Sequence, residues 1–129
     1  MPGPPPELRR GRRLSNRDVG DLGEEIARRH LLQLGYEILE SNYRTRNGEI
    51  DLISRTGTTL VFVEVKLRRT TAFGDPLDAV TPRKQRTIRL MAEQYLYERT
   101  PDYDDLRFDV VGIFLPGARP EITHIENAF

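Results

Sequence analysis

The chain has 129 residues, 37% of them apolar and 31% charged, with a net charge of zero, which suits one domain around a single modest core. It contains no cysteine, so disulfides and thiolate metal sites are excluded, in keeping with a reducing compartment. No apolar run approaches the ~18 residues of a membrane helix, and the first residues lack the apolar core of a signal peptide, so a cytoplasmic protein without membrane contact is expected.

The zero balance hides an uneven distribution. Residues 1–17 carry Arg9, Arg10, Arg12, Arg13 and Arg17 against Glu7, with Pro2, Pro4, Pro5 and Pro6 among them. This stretch reads as a disordered basic arm before a folded domain over 18–129. The remainder is acidic, notably at Glu98, Asp102, Asp104, Asp105 and Asp109, so weak attraction to polyanions is expected. Of the 20 basic residues only Lys66 and Lys84 are lysines, so lysine stands where a compact ammonium is needed.

Asp18 to Leu34 predicts an amphipathic helix, with Val19, Leu22, Ile26, Ala27, His30, Leu31 and Leu34 on one face. Asn16 or Asp18 can cap it and Gly35 ends it. His30 reads as a satisfied core histidine. Glu24 lies at the edge of the apolar face, and Glu25 points to solvent. Tyr36 to Tyr43 predicts a first strand, with Tyr36 and Ile38 inward.

Gly48 to Lys66 is the centre of the chain. Ile50, Leu52 and Ile53, then Leu60 to Val63 and Val65, are residues of buried strands, and Gly57-Thr58 marks a tight turn between them. That turn sets Asp51 opposite Glu64 and Glu49 opposite Lys66, where opposed side chains come within about 5 Å. Four ionisable groups on one side of an apolar hairpin carry a cost that pairing or a bound cation must offset. Such a group is the pattern of a metal-dependent active site; a structural ion-pair cluster is the competing reading.

Leu67 to Thr81 is a long connection containing Arg68, Arg69, Phe73-Gly74-Asp75-Pro76 and Asp78, expected to border a substrate cleft. Thr81-Pro82 starts a second helix running to about Glu98 and burying Ile88, Met91, Ala92, Tyr95 and Leu96. Arg83, Lys84, Arg86 and Arg89 load its first turns against the helix dipole, which points to phosphate as their partner. Lys84 shares a stripe with Ile88 and Met91 and so points inward to the cleft. Leu106 to Leu115 is a fourth strand with Arg107 and Asp109 on one face, and Glu121 to Ile125 a short last one. The polar pair Arg107 and Asp109 reads as structural.

Asp51, Glu64-Val65-Lys66 and the gap between them resemble the PD-(D/E)XK nuclease superfamily, which includes restriction endonucleases and Holliday-junction resolvases. The wider pattern, Gly23-Glu24, Asn42-Tyr43-Arg44, Gly48 to Ile53, Phe62 to Lys66, Lys84-Gln85, Arg107 to Val110, His124 and Asn127 to Phe129, resembles the bacterial YraN-like family over roughly residues 18–129. The resemblance implies an α/β, restriction endonuclease-like fold, a mixed central β-sheet of about five strands flanked by two main helices. It implies Asp51 and Glu64 as ligands of Mg²⁺ or Mn²⁺, Glu24 as the acid completing the site and Lys66 as the catalytic lysine. Glu49 is a further acid opposite Lys66 whose role the superfamily pattern does not set. Ile50, not proline, precedes Asp51, as resolvase-like relatives allow.

The function expected is metal-dependent hydrolysis of nucleic acid, DNA before RNA, with Arg68, Arg69, Lys84, Gln85 and Arg86 gripping the backbone and no base-reading element. A non-catalytic nucleic-acid-binding module acting with a DNA-processing partner is the alternative, and a structural adaptor a third. Resolvase-like enzymes work as pairs, so a homodimer is a further expectation, although no stretch identifies its face.

Overall fold

The computed structural model describes residues 15–70 and 74–129. Residues 1–14 of the basic arm, and Phe73 in the long connection, lie outside the described residues, whereas residues 15–17, read as part of that arm, cap and open the first helix instead.

Helix α1 spans Asn16–Gln33. Its cap is Ser15, not Asn16 or Asp18: the Ser15 side chain accepts from the Asp18 N–H, and the Asp18 carboxylate accepts from Ser15 in return. Gly35, at φ +89°, turns the chain out of the helix as expected. Ala27 and Leu31 are fully buried, whereas Leu34, counted on the apolar face, is largely exposed because the helix has already ended.

Strands β1 (Glu37–Thr45), β2 (Gly48–Thr56) and β3 (Thr59–Arg68) form an antiparallel meander. The β2–β3 loop is the two residues Gly57 and Thr58, with Gly57 at φ +59°, a conformation glycine supplies without steric cost. After β3 comes a 3₁₀ turn, Pro76–Ala79, and then helix α2, Pro82–Arg99, capped by Thr81. The crossover through α2 brings β4 (Asp105–Phe114) parallel to β3, and β5 (Glu121–Ile125) closes the sheet antiparallel to β4. The order is β1-β2-β3-β4-β5, a mixed five-stranded α/β sheet with two main helices.

Each face of the sheet has its own core. α1 covers Leu52, Val61, Val63, Val111 and Ile113 with Ala27 and Leu31. α2 covers Ile53, Leu60, Phe62 and Val110 with Ile88, Met91, Ala92 and Tyr95, the face its sequence predicts. Ile38 packs on the α1 side and Leu39 on the α2 side, as alternation along a strand requires, and a bulge between Ile38 and Glu40 then sets Glu40 opposite Ile53.

The pair Arg107 and Asp109 is structural, as its spacing suggests. Asp109 is fully buried and accepts from Arg107 at 2.9 and 3.0 Å, from His124 at 2.8 Å and from the Asn127 N–H at 3.0 Å. Burial pushes its pKa up, but those donors outweigh it and hold the carboxyl below its ordinary range. His124 in turn meets His30 ring to ring at 3.0 Å, so His30 is a satisfied histidine joining α1 to β5. No described helix is long and apolar enough to cross a membrane.

Candidate functional site

The hairpin ladder runs from Thr56 opposite Thr59 to Leu52 opposite Val63, the register its turn predicts, and ends there. At the next step Asp51 Oδ2 accepts the Val65 N–H at 2.7 Å. A side chain has replaced a main-chain acceptor, and the ladder gives way where the acids stand. Asp51 and Glu64 are brought together as predicted, close enough for charge and hydrogen-bond interaction. The expected opposition of Glu49 and Lys66 does not form. Glu49 leans instead to Arg44, its β1 partner, at 3.8 Å.

Glu64 is only 5% exposed. Its Oε1 lies 3.3 Å from Lys84 Nζ and 4.0 Å from Lys66 Nζ, while Oε2 is buried with no hydrogen-bond partner among the described residues. Burial, then the Glu64 charge, pushes Asp51 up to about 7. Burial lowers the Lys66 pKa, and the Lys84 ammonium adds to the effect. Burial opposes the charge on Lys84 too, but the Glu64 carboxylate outweighs it and the pKa rises.

Glu24 arrives from the other face. A Cβ at Gly23 would lie 3.1 Å from the Leu67 Cβ, so the bare glycine is what lets α1 lie this close to β3. The next residue, Glu24, accepts from Asn42 Nδ2 at 2.8 Å. Burial raises its pKa, the Asn42 bond opposes the rise, and the Asp51 and Glu49 charges reinforce it, so Glu24 is within electrostatic reach of the hairpin acids. Asn42 holds φ +55°, left-handed space that asparagine enters more readily than other non-glycine residues. Its role as holder of Glu24 escapes a sequence reading; an asparagine inside a strand is the signal available.

A cleft of about 420 Å³ is lined by Glu49, Asp51, Glu64, Thr81 and Lys84 among others. Lys66 lines a second cleft, of about 260 Å³, with Arg68, Phe114 and Glu121. Beside Lys66, across the β3–β4 ladder, stands Gly112; a Cβ there would fall 2.2 Å from Pro76 Cγ, so a side chain would push the 3₁₀ turn off the sheet.

The five residues expected to grip a phosphate backbone do not share one environment. Arg69 and Arg86 are exposed. Arg68 donates to the Gly74 and Asp75 carbonyls, at 2.7 and 3.4 Å, and braces the loop. Gln85 donates to the Val80 carbonyl at 3.0 Å at the start of α2. Lys84 points into the cleft as predicted, but its partner there is Glu64.

Among the described residues, no three His, Asp or Glu side chains are drawn together tightly enough to hold a metal ion. The fold presents a carboxylate pair, Asp51 and Glu64, with Glu24 at hand. Such a pair fits Mg²⁺ or Mn²⁺, since Mg²⁺ is usually held by one or two carboxylates and keeps several waters. Glu64 Oε2 has no hydrogen-bond partner among the described residues, and Asp51 resists ionisation because it is buried beside that carboxylate; both observations suit a cation held by the two acids.

A mixed five-stranded α/β sheet whose central hairpin carries Asp51, Glu64 and Lys66, with Lys84 reaching in from α2, defines the class of protein. The chain belongs to the family described as uncharacterised protein family UPF0102, which it matches over residues 23–113. It is 48% identical over 116 residues to a UPF0102 protein of Alkaliphilus oremlandii, covering 88% of this chain and 99% of the relative. To one of Rhodococcus opacus it is 47% identical over 115 residues, covering 88% and 98%. To one of Geotalea daltonii it is 50% identical over 115 residues, covering 88% and 91%.

Proposed function

We propose that this protein is a divalent-metal-dependent nuclease of the PD-(D/E)XK type, hydrolysing phosphodiester bonds of DNA with little sequence preference. The observation that carries the reading is Glu64 Oε2, a carboxylate oxygen buried on a central strand with no hydrogen-bond partner among the described residues other than what a second acid, Asp51, can offer when it holds a proton. An ion-pair network built for stability would be expected to satisfy both oxygens of so buried a group.

Asp51 and Glu64 would hold Mg²⁺ or Mn²⁺, with Glu24 as the third acid. When bound, the ion supplies Lewis-acid neutralisation of the charge developing on the phosphoryl oxygens. Lys66 donates hydrogen bonds to the attacking water or to a phosphoryl oxygen; its lowered pKa makes proton exchange with that water easier. Exposed Arg69 and Arg86 add charge contacts to the backbone, which gives salt-dependent and sequence-independent binding. The cytoplasm, where nucleic acid is at hand and a cysteine-free chain is at no disadvantage, is the expected location.

The test is cleavage of labelled branched, single-stranded and duplex DNA with Mg²⁺ or Mn²⁺, wild type beside Glu64→Gln. Metal-dependent cutting that the variant loses by several orders of magnitude is expected. Binding without cutting by both proteins would instead identify a nucleic-acid-binding module, and full activity in the variant would remove Glu64 from the chemistry.

A further inference from the structure

Resting on the metal-site reading above, the structure points to a second task for Lys84. We propose that Lys84 is an internal counter-cation for Glu64, that a divalent ion displaces it, and that the released ammonium then contacts the substrate phosphate.

Both lysines approach the same oxygen, Glu64 Oε1, and Lys84 is the nearer, at 3.3 Å against 4.0 Å for Lys66. The partners differ in freedom. The Glu64 side chain is 6% exposed on a central strand, whereas Lys84 is 39% exposed on a four-carbon stem at the mouth of the cleft. Glu64 is fixed; Lys84 can leave.

Glu64 is the main group that holds Lys84 in its present position, with Lys66 and Asp51 as lesser partners. The Lys84 N–H is the donor to the Thr81 cap, so its backbone lies in the first turn of α2, where the positive end of the helix dipole repels an ammonium. A divalent ion at Asp51 and Glu64 would take up the charge that anchors Lys84 and repel it as a like charge. The stem then lets the ammonium turn into the cleft, where a phosphate oxygen is a better partner than a metal-bound carboxylate. Lysine suits this role better than arginine, whose planar fork would hold Glu64 in fixed geometry.

The chain has two lysines, so amine-directed labelling read by peptide mass spectrometry reports each separately. In the metal-free protein Lys84 should label slowly. Mg²⁺, added at matched ionic strength without DNA, should speed its labelling several-fold. In Glu64→Gln, Lys84 should label fast with or without Mg²⁺. By calorimetry, Lys84→Met should bind Mn²⁺ more tightly than wild type, since the competing cation is gone.

If Mg²⁺ binds but leaves Lys84 labelling unchanged or slower, the displacement is overturned and the nuclease reading stands. Weaker Mn²⁺ binding by Lys84→Met would likewise overturn it, making Lys84 a support for Glu64. If neither ion binds the wild-type protein, displacement and metal-site reading fall together. The labelling uses unaltered protein, so it does not depend on how well the Met variant folds.

Discussion

At Asp51, burial and the Glu64 carboxylate both act against ionisation, and the pKa rises from 3.8 to about 7. Between those two values the native protein holds a proton that the unfolded chain has lost, so stability falls as pH rises through that window. A metal-free protein at pH above the window therefore carries the full cost of a charged Asp51. Asn at this position keeps an acceptor for the Val65 N–H and offers Glu64 a donor. Asp51→Asn is accordingly expected to melt higher than wild type above neutral pH without divalent metal, by on the order of 5 °C, while losing cleavage. The difference should shrink as pH falls toward 3.8, where the wild-type carboxyl is protonated in the native state. Differential scanning calorimetry across that range checks it. A variant that melts lower above neutral pH would make Asp51 a structural ion-pair residue.

Among the elements, the hairpin was the most legible. The tight turn at Gly57-Thr58 between two apolar runs set its register, and the register brought Asp51 to Glu64. Both helices followed from their apolar stripes, with Ile88, Met91, Ala92 and Tyr95 of α2 buried as their spacing predicts. What alternation cannot convey is where a ladder stops. The Val65 N–H turning to Asp51, and Glu49 turning to Arg44, are local departures from pairing that depend on side-chain hydrogen bonds. Neither could a sequence indicate that Arg68 and Gln85 are engaged by nearby carbonyls, since those contacts arise from the folded path of the connection. The same holds for Gly112, a featureless glycine in a strand until the Pro76 ring is found against it. Gly112→Ala is expected to cost about 2–3 kcal/mol, as overpacking against a rigid ring. It should also lower activity, because the displaced turn leaves the side of Lys66. Urea unfolding measures the first effect and the cleavage assay the second; an unchanged urea midpoint would mean that the turn is loosely held.

Over the whole molecule, the candidate groups come from both layers that sandwich the sheet. Glu24 rides on α1, Asp51 and Glu64 on the hairpin, and Lys84 on α2, and the acids and Lys84 meet near the point where β2 and β3 part. The parallel β3–β4 pairing must wait for the whole crossover through α2 to find its place, a long-range contact of the kind that slows folding. The early end of the β2–β3 ladder therefore has a temporal consequence. In the metal-site reading proposed above, its carboxylates would grip a cation strongly only once both helices have dried their surroundings, an event expected late on the way to the native state. An ion that recognises only the finished site acts on one limb of the kinetics. Saturating Mn²⁺ should slow the escape from the native state and leave the refolding rate almost untouched, so the two arms of a chevron respond unequally. Faster refolding in Mn²⁺ would show that the acids are assembled before the barrier is crossed.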